Sequence, residues 1–280
     1  MYHQEPSQFL FSNLWGVVSM LHKEGNFKGL KNFNIYYQCW LPDTQAKAVL
    51  LVAHGFAEHS GRYGNLVNYF VPQGYAIYAL DHRGHGRSDG ERVQVDDFND
   101  YTKDLKIFFN IVRQDNPHEK IFLIGHSMGS VISLLYTVAY SNELAGLVIS
   151  GGGLVKPGDP SLRLRAPRGP LPATMLSRDP VVIAAYENDP LVYHGPMPRR
   201  AGDRDIRSKL YDNVSKIKLP VLIMAGTGGP DGAHSGVLYE RIGSEDKTLK
   251  LYEGLRHEIF NEPEHLQVIA DLDAWLKIHL

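Results

Sequence analysis

A single cysteine, Cys39, stands in 280 residues, so no internal disulfide can form and no cysteine-rich metal site can be assembled. That suits a reducing compartment, and a cytoplasmic location is the expectation. Charge of neither sign is in excess: Lys plus Arg number 29 and Asp plus Glu 31, a formal net charge of -2. No global positive field exists to hold a polyanion, so nucleic acid is not an expected partner. The chain also lacks an apolar run long enough to span a bilayer, which needs about 20 residues; the nearest candidate, Phe9 to Leu21, falls short. The residues before it, MYHQEPSQ, contain no Lys or Arg, so a cleaved secretory signal is not expected. Repeats and low-complexity tracts are absent as well. With 43% hydrophobic and 21% charged side chains, what remains is a globular chain long enough to bury a large core.

The stretch Phe9 to Leu21 (FLFSNLWGVVSML) reads as a helix or irregular arm packed on the body, with an apolar surface that docks on lipid as the alternative. It assigns residues 1–24 to an N-terminal arm.

Beyond the arm, apolar runs rich in β-branched and aromatic residues recur at Phe33 to Trp40, Ala48 to Ala53, Ala76 to Leu80, Ile121 to Ile124, Leu147 to Ser150, Val221 to Ala225 and Leu249 to Tyr252. Several are continuous rather than alternating (AVLLVA, IFLI, PVLIMA), the pattern of strands covered on both faces. Between them, Gly64 to Gln73, Asp100 to Gln114, Met128 to Tyr140, Gly236 to Gly243 and Pro263 to His279 read as helices. The alternation predicts an α/β fold, a mostly parallel central sheet flanked by helices.

One region breaks that alternation. Nine of the 16 prolines fall between Pro157 and Pro198, together with Arg163, Arg165, Arg168, Arg178, Arg199 and Arg200. Proline at this density does not sustain long helices or central strands, so the region reads as short helices and loops inserted above the C-terminal edge of the sheet, where α/β folds bind ligands. The expected organisation is a core of residues 25–153 and 209–280 with an inserted cap, or lid, at 154–208.

The strongest chemical signal is Gly125-His126-Ser127-Met128-Gly129, directly after one strand and directly before a helix. A nucleophile elbow needs this arrangement: a strained turn lifts the serine hydroxyl above the sheet, and small residues two positions to either side relieve the crowding. Ser127 is the candidate nucleophile, and a serine hydroxyl attacks only when a base takes its proton. Of 13 histidines, His257 follows the last strand-like run and is the candidate base. The base needs a carboxylate to fix its tautomer, and the loop after the penultimate strand, Gly226 to Val237, holds one acid, Asp231. The competing reading makes Asp231 the turn residue of Pro-Asp-Gly. For the oxyanion, the backbone N–H groups of Met128 and of Phe56, in the loop His54-Gly55-Phe56, are the candidate donors.

With these residues placed, HGFAEHSGRY (His54 to Tyr63), GYAIYALDHRGHGRSDGER (Gly74 to Arg92), GHSMGS (Gly125 to Ser130) and KLYEGLRHEIFNEPE (Lys250 to Glu264) together resemble the monoacylglycerol lipases and their lysophospholipase-like relatives in the α/β-hydrolase superfamily. The resemblance covers roughly Phe27 to Gly153 and Leu219 to the end. It implies an α/β-hydrolase fold and a serine hydrolase with a cap over an acyl tunnel, acting on a small-molecule lipid ester of the monoacylglycerol type without cofactor or metal. Relatives usually place the triad aspartate about three residues after the strand's terminal glycine; Gly229 is near that position here, and the loop is about two residues short. Glu58 and Arg62, beside the oxyanion loop, either pair to hold Phe56 N–H in place or bind substrate where glycerol sits, pairing being preferred. Asp81-His82-Arg83-Gly84-His85 lacks the helical histidine spacing of zinc hydrolases and reads as a structural loop. A lysophospholipase, a general carboxylesterase or an acyltransferase would share the triad, and a non-catalytic binding protein would share the fold. Peripheral membrane contact through the arm and cap is also open.

Overall fold

The computed structural model describes residues 7–13, 16–156, 158, 170–196 and 203–280; of residues 7–13, 16–19 and 203–205 it describes the backbone alone. The strands are β1 (Ser7–Asn13), β2 (Gly16–Lys28), β3 (Asn34–Pro42), β4 (Ala48–Ala53), β5 (Tyr75–Leu80), β6 (Lys120–His126), β7 (Gly146–Ser150), β8 (Val221–Gly226) and β9 (Lys247–Tyr252). They form one nine-stranded sheet in the order β1-β2-β3-β5-β4-β6-β7-β8-β9. From β5 through β9 every pairing is parallel, while β1, β2 and β3 are joined to one another and to β5 antiparallel.

The helices are α1 (Gly64–Phe70), α2 (Asn99–Asp115), α3 (Met128–Tyr140), α4 (Pro180–Asn188), α5 (Asp203–Asn213), α6 (Asp231–Arg241) and α7 (His265–His279). The continuous apolar strands are continuous because both faces are covered. In β4 all six residues are buried; Val49 and Leu51 pack with Leu105 and Phe108 of α2 and Ile132 of α3, whereas Leu50 and Val52 pack on the other side with Leu66 and Phe70 of α1 and Leu272 of α7. Period-two alternation thus feeds two separate layers of core.

Two expectations are corrected here. The described part of Phe9 to Leu21 is not a helix or irregular arm: Phe9 to Asn13 lie in β1 and Gly16 to Leu21 in β2, whose register pairs Ser7 with His22 and Asn13 with Gly16. β2 in turn pairs with β3 from Met20–Pro42 to Lys28–Asn34. The partner that satisfies these backbone groups is β3, a relationship a local apolar count does not reveal. The lipid-docking alternative rests on side chains outside the described ones. The helix expected at Gly236 begins instead at Asp231, immediately after Pro230, whose missing N–H and fixed φ suit a helix start.

The proline-rich stretch lies between β7 and β8. Its described part holds a 3-10 turn at Ala173–Met175 and α4, closed around a small cluster of Ala173, Leu176, Tyr186 and Val192. Arg163, Arg165, Arg168, Arg199 and Arg200 lie outside the described residues.

Candidate active site

The chain leaves β6 at His126 and enters α3 at Met128, so Ser127 alone makes the turn. It does so at φ 53°, ψ -113°, a conformation that L side chains rarely adopt and that costs about 1–3 kcal/mol. Its neighbours show why glycine flanks it. A Cβ on Gly125 would sit 2.5 Å from Ser133 Oγ, and one on Gly129 would sit 2.0 Å from the Ala53 carbonyl oxygen. The turn is pinned by Ser127 N–H donating to Ser150 O at 3.0 Å.

His257 follows β9 and Asp231 opens α6 after β8, so adjacent parallel strands deliver them to the same edge of the sheet. His257 Nδ1 lies 2.7 Å from Asp231 Oδ2. A carboxylate only accepts, so the proton is on Nδ1 and Nε2 carries a lone pair. Burial on its own would lower the His257 pKa; the hydrogen bond and charge of Asp231, aided by Glu258 and Glu58, outweigh it and hold the pKa above its ordinary value. As the first residue of α6, Asp231 also sits where the helix dipole favours a negative charge. The short loop therefore still brings a carboxylate to the imidazole, and Asp231 is a helix residue rather than the centre of a turn. The His126 ring lies beside that of His257, tilted by 55° with centroids 4.8 Å apart, and burial holds it well below its ordinary pKa.

The loop from His54 to Glu58 approaches Ser127 closely: a Cβ on Gly55 would lie 3.2 Å from Ser127 Cβ and 2.8 Å from Glu58 Oε1. His54 fixes one side of it. The His82 N–H donates to His54 Nε2 at 2.8 Å, which leaves Nδ1 to donate to Gly55 O at 2.7 Å. Burial keeps this ring neutral, its pKa lowered to about 3. Ala57 adopts φ 67°, and its carbonyl accepts from Tyr193 N–H of the inserted segment at 2.9 Å.

Glu58 and Arg62 are both buried and neither lines the cavity around Ser127, which corrects their expected contact with substrate. Nor is their mutual pairing the main one. Glu58 Oε1 accepts from Gly55 N–H at 2.6 Å and from Tyr63 OH at 3.0 Å. Arg62 binds Glu258 at 2.6 Å and reaches Glu58 Oε2 at 3.9 Å, with the Tyr186 ring 4.6 Å above its guanidinium. Burial, with the Glu258 charge adding to it, raises the Glu58 pKa to about 6. Glu258 escaped the sequence reading because its partner is 196 residues away; its position directly after His257 was the available signal.

Asp81 is committed to structure. Its Oδ1 accepts from Ser60 N–H at 2.8 Å and Oδ2 from Arg87 N–H at 2.8 Å. No group of three or more His, Cys, Asp or Glu among the described residues could hold a metal ion.

Ser127, His257, Asp231, Phe56 and Met128 line one cavity of about 530 Å³. Met128 is in the first turn of α3, where helix N–H groups lack intrahelical acceptors. Leu171, Met175 and Leu176 of the inserted segment close part of the wall. That segment is tied to the loop carrying His257: Glu258 N–H donates to Leu176 O at 2.7 Å, and Arg256 donates to the carbonyls of Thr174 and Ser177. Among the described residues no helix is long and apolar enough to cross a membrane.

The family described as serine aminopeptidase, S33, matches residues 44–264. The monoacylglycerol lipase of Mycolicibacterium smegmatis is 36% identical over 94% of this chain and 100% of its own. The monoglyceride lipase of Rattus norvegicus is 32% identical, with 86% of each chain covered. Among solved structures, the monoacylglycerol lipase of Paleococcus ferrophilus is similar at a TM-score of 0.72 and 29% identity, over 88% of this chain and 99% of that one. A soluble variant of the Saccharomyces cerevisiae monoglyceride lipase, in complex with a substrate analog, is similar at 0.74 and 26%, over 91% and 94%.

Proposed function

The chain belongs to the serine aminopeptidase S33 family, and from that premise we propose that it cleaves monoacylglycerols through a Ser127–His257–Asp231 triad and an acyl-enzyme. That it is a carboxylic ester hydrolase follows from the family and from relatives such as the monoacylglycerol lipase of Mycolicibacterium smegmatis. In the proposed cycle, Ser127 Oγ attacks the ester carbonyl while His257 Nε2 takes its proton and passes it to the glycerol oxygen. Asp231 holds the imidazole in the required tautomer, and the N–H groups of Phe56 and Met128 receive the oxyanion. Water then repeats the sequence on the acyl-enzyme and releases the fatty acid.

The observation that carries this reading is the 2.7 Å contact of His257 Nδ1 with Asp231, in a cavity that both share with Ser127 at its strained turn. A volume of about 530 Å³ is in the range of small-molecule sites. A peptidase reading finds less support: an aminopeptidase needs a free carboxylate for the substrate ammonium, and among the described residues Asp231 is the one carboxylate on the wall and is engaged by His257. We place the enzyme in the cytoplasm, meeting lipid surfaces through residues 154–208 as a cap on the core; Met175 and Val181 there are 56% and 74% exposed. The test is Ser127→Ala with a monoacylglycerol substrate and a fluorophosphonate label. Loss of both turnover and labelling is expected, and turnover near the wild-type rate would overturn the reading.

A further inference from the structure

Among the described residues, the cavity wall carries more positive than negative side chains. Asp231 is its carboxylate among the described residues, and it is engaged by His257. Against it stand two guanidinium groups, Arg207 and Arg256. The Arg256 guanidinium donates to backbone carbonyls, those of Thr174 and Ser177, and forms no ion pair with a described carboxylate, while the backbone N–H of Arg256 donates to Glu262 Oε1 at 2.6 Å. Arg207, on α5, follows Ile206, which is buried on the same wall, so the cation sits at the rim; it makes no hydrogen bond or ion pair with a described residue. The His234 ring, also on the wall, has no such partner either. The rest is largely apolar, with Phe98, Val131, Val155 and Leu171 facing the space. The sequence shows the same bias. Nine basic and six acidic side chains lie from Lys156 to Arg207, in a chain where acids outnumber bases overall.

An apolar cavity whose two guanidinium groups pair with no described carboxylate suits an amphiphilic anion. We propose that this site takes single-chain esters whose alcohol part is anionic, an acylglycerol bearing a phosphate or a carboxylate, in preference to the neutral acylglycerol. The proposal rests on the ester-hydrolase reading of the cavity and names its substrate class. In the reaction the acyl C–O bond breaks, water supplies hydroxyl to the acyl carbon and a proton to the alcohol oxygen, and the anionic group leaves intact on the alcohol. Positive walls around a low-dielectric space focus the field on an incoming anion, an effect that raises association rates by about tenfold or more and weakens with salt.

The experiment compares kcat/KM for three medium-chain esters with the same acyl group, all held below their aggregation concentration. They are the 1-acylglycerol, its 3-phosphate and its 3-hemisuccinate. At low salt the phosphate is expected to exceed the neutral ester by about tenfold, and the ratio should shrink in high salt. Arg207→Gln should reduce the ratio and Arg207→Glu should abolish or invert it, with the variants' melting temperatures checking the fold. A hemisuccinate that behaves like the phosphate assigns recognition to charge; one that behaves like the neutral ester assigns it to the phosphate group. Equal or better turnover of the neutral ester, or a ratio that Arg207→Glu leaves unchanged, overturns the proposal while leaving the hydrolase reading standing. If none of the three esters is cleaved, the hydrolase reading itself fails.

Discussion

His257 Nδ1 meets Asp231 Oδ2 at 2.7 Å although the loop carrying Asp231 is short, because Asp231 is the first residue of α6 and the helix itself projects the carboxylate towards the end of β9. Exchanging this carboxylate for an amide removes a charge and lets the ring settle in the wrong tautomer. Asp231→Asn should keep the fold and lower kcat by roughly three to four orders of magnitude. The pH profile gives a second readout. The proposed cycle needs a neutral His257, so kcat/KM should rise with pH through its pKa, which Asp231 helps to raise. Without the carboxylate that pKa falls and the rising limb moves to lower pH. A loss of less than tenfold, or an unmoved limb, would assign the acid's role elsewhere.

Ser127 turns the chain at φ 53°, a cost that in the proposed site serves the position of its hydroxyl and does nothing for stability. Ser127→Gly should therefore abolish ester turnover while raising the unfolding free energy by about 1 kcal/mol, the relief of an unfavourable dihedral less the added chain entropy. Urea denaturation of the two proteins measures it. A destabilised glycine variant would show that the turn is not strained.

Much of this arrangement is legible in the sequence where local patterns decide the outcome. AVLLVA is β4 residue for residue, and α3 spans Met128 to Tyr140 as the spacing predicts, because a strand buried on both faces and a helix after a glycine-flanked turn announce themselves locally. The N-terminal hairpin did not, since its apolar residues resemble those of a packed helix until β3 is known to lie alongside. Glu58 illustrates the same limit. Its partners, Gly55 N–H and Tyr63 OH, are near in sequence, but its burial depends on Glu258, Arg62 and the inserted Tyr186 closing over it.

That setting makes Glu58 a positioning residue in the proposed site. Glu58→Ala leaves Gly55 N–H and Tyr63 OH without their buried acceptor, and should destabilise the protein by about 3 kcal/mol. It should also lower kcat more than it changes KM, because the loop carrying the Phe56 N–H loses its anchor. Glu58→Gln keeps an acceptor for Gly55 and should recover a substantial part of kcat. Equal kcat in the wild type and the alanine variant would show that the loop holds its shape without the carboxylate.

Three buried imidazoles should weaken the fold at acid pH. Burial lowers the pKa of His54 to about 3 and holds those of His82 and His126 well below the ordinary value. In the unfolded chain each titrates near about 6.5. Between that value and the depressed native one the unfolded state binds more protons, so stability is present above about pH 6.5 and is lost as pH falls. Each histidine contributes a slope of up to about 1.4 kcal/mol per pH unit. His82 allows a clean subtraction: neither of its ring nitrogens has a hydrogen-bond partner among the described residues, and it packs between the His54 and Tyr101 rings at 4.4 and 5.6 Å. His82→Phe should fold, keep these ring contacts, and reduce by about a third the stability lost between neutral and mildly acid pH, as urea titrations across that range would register. The same slope in wild type and variant would mean that His82 takes up its proton in the folded state, and that the acid limit belongs to other groups.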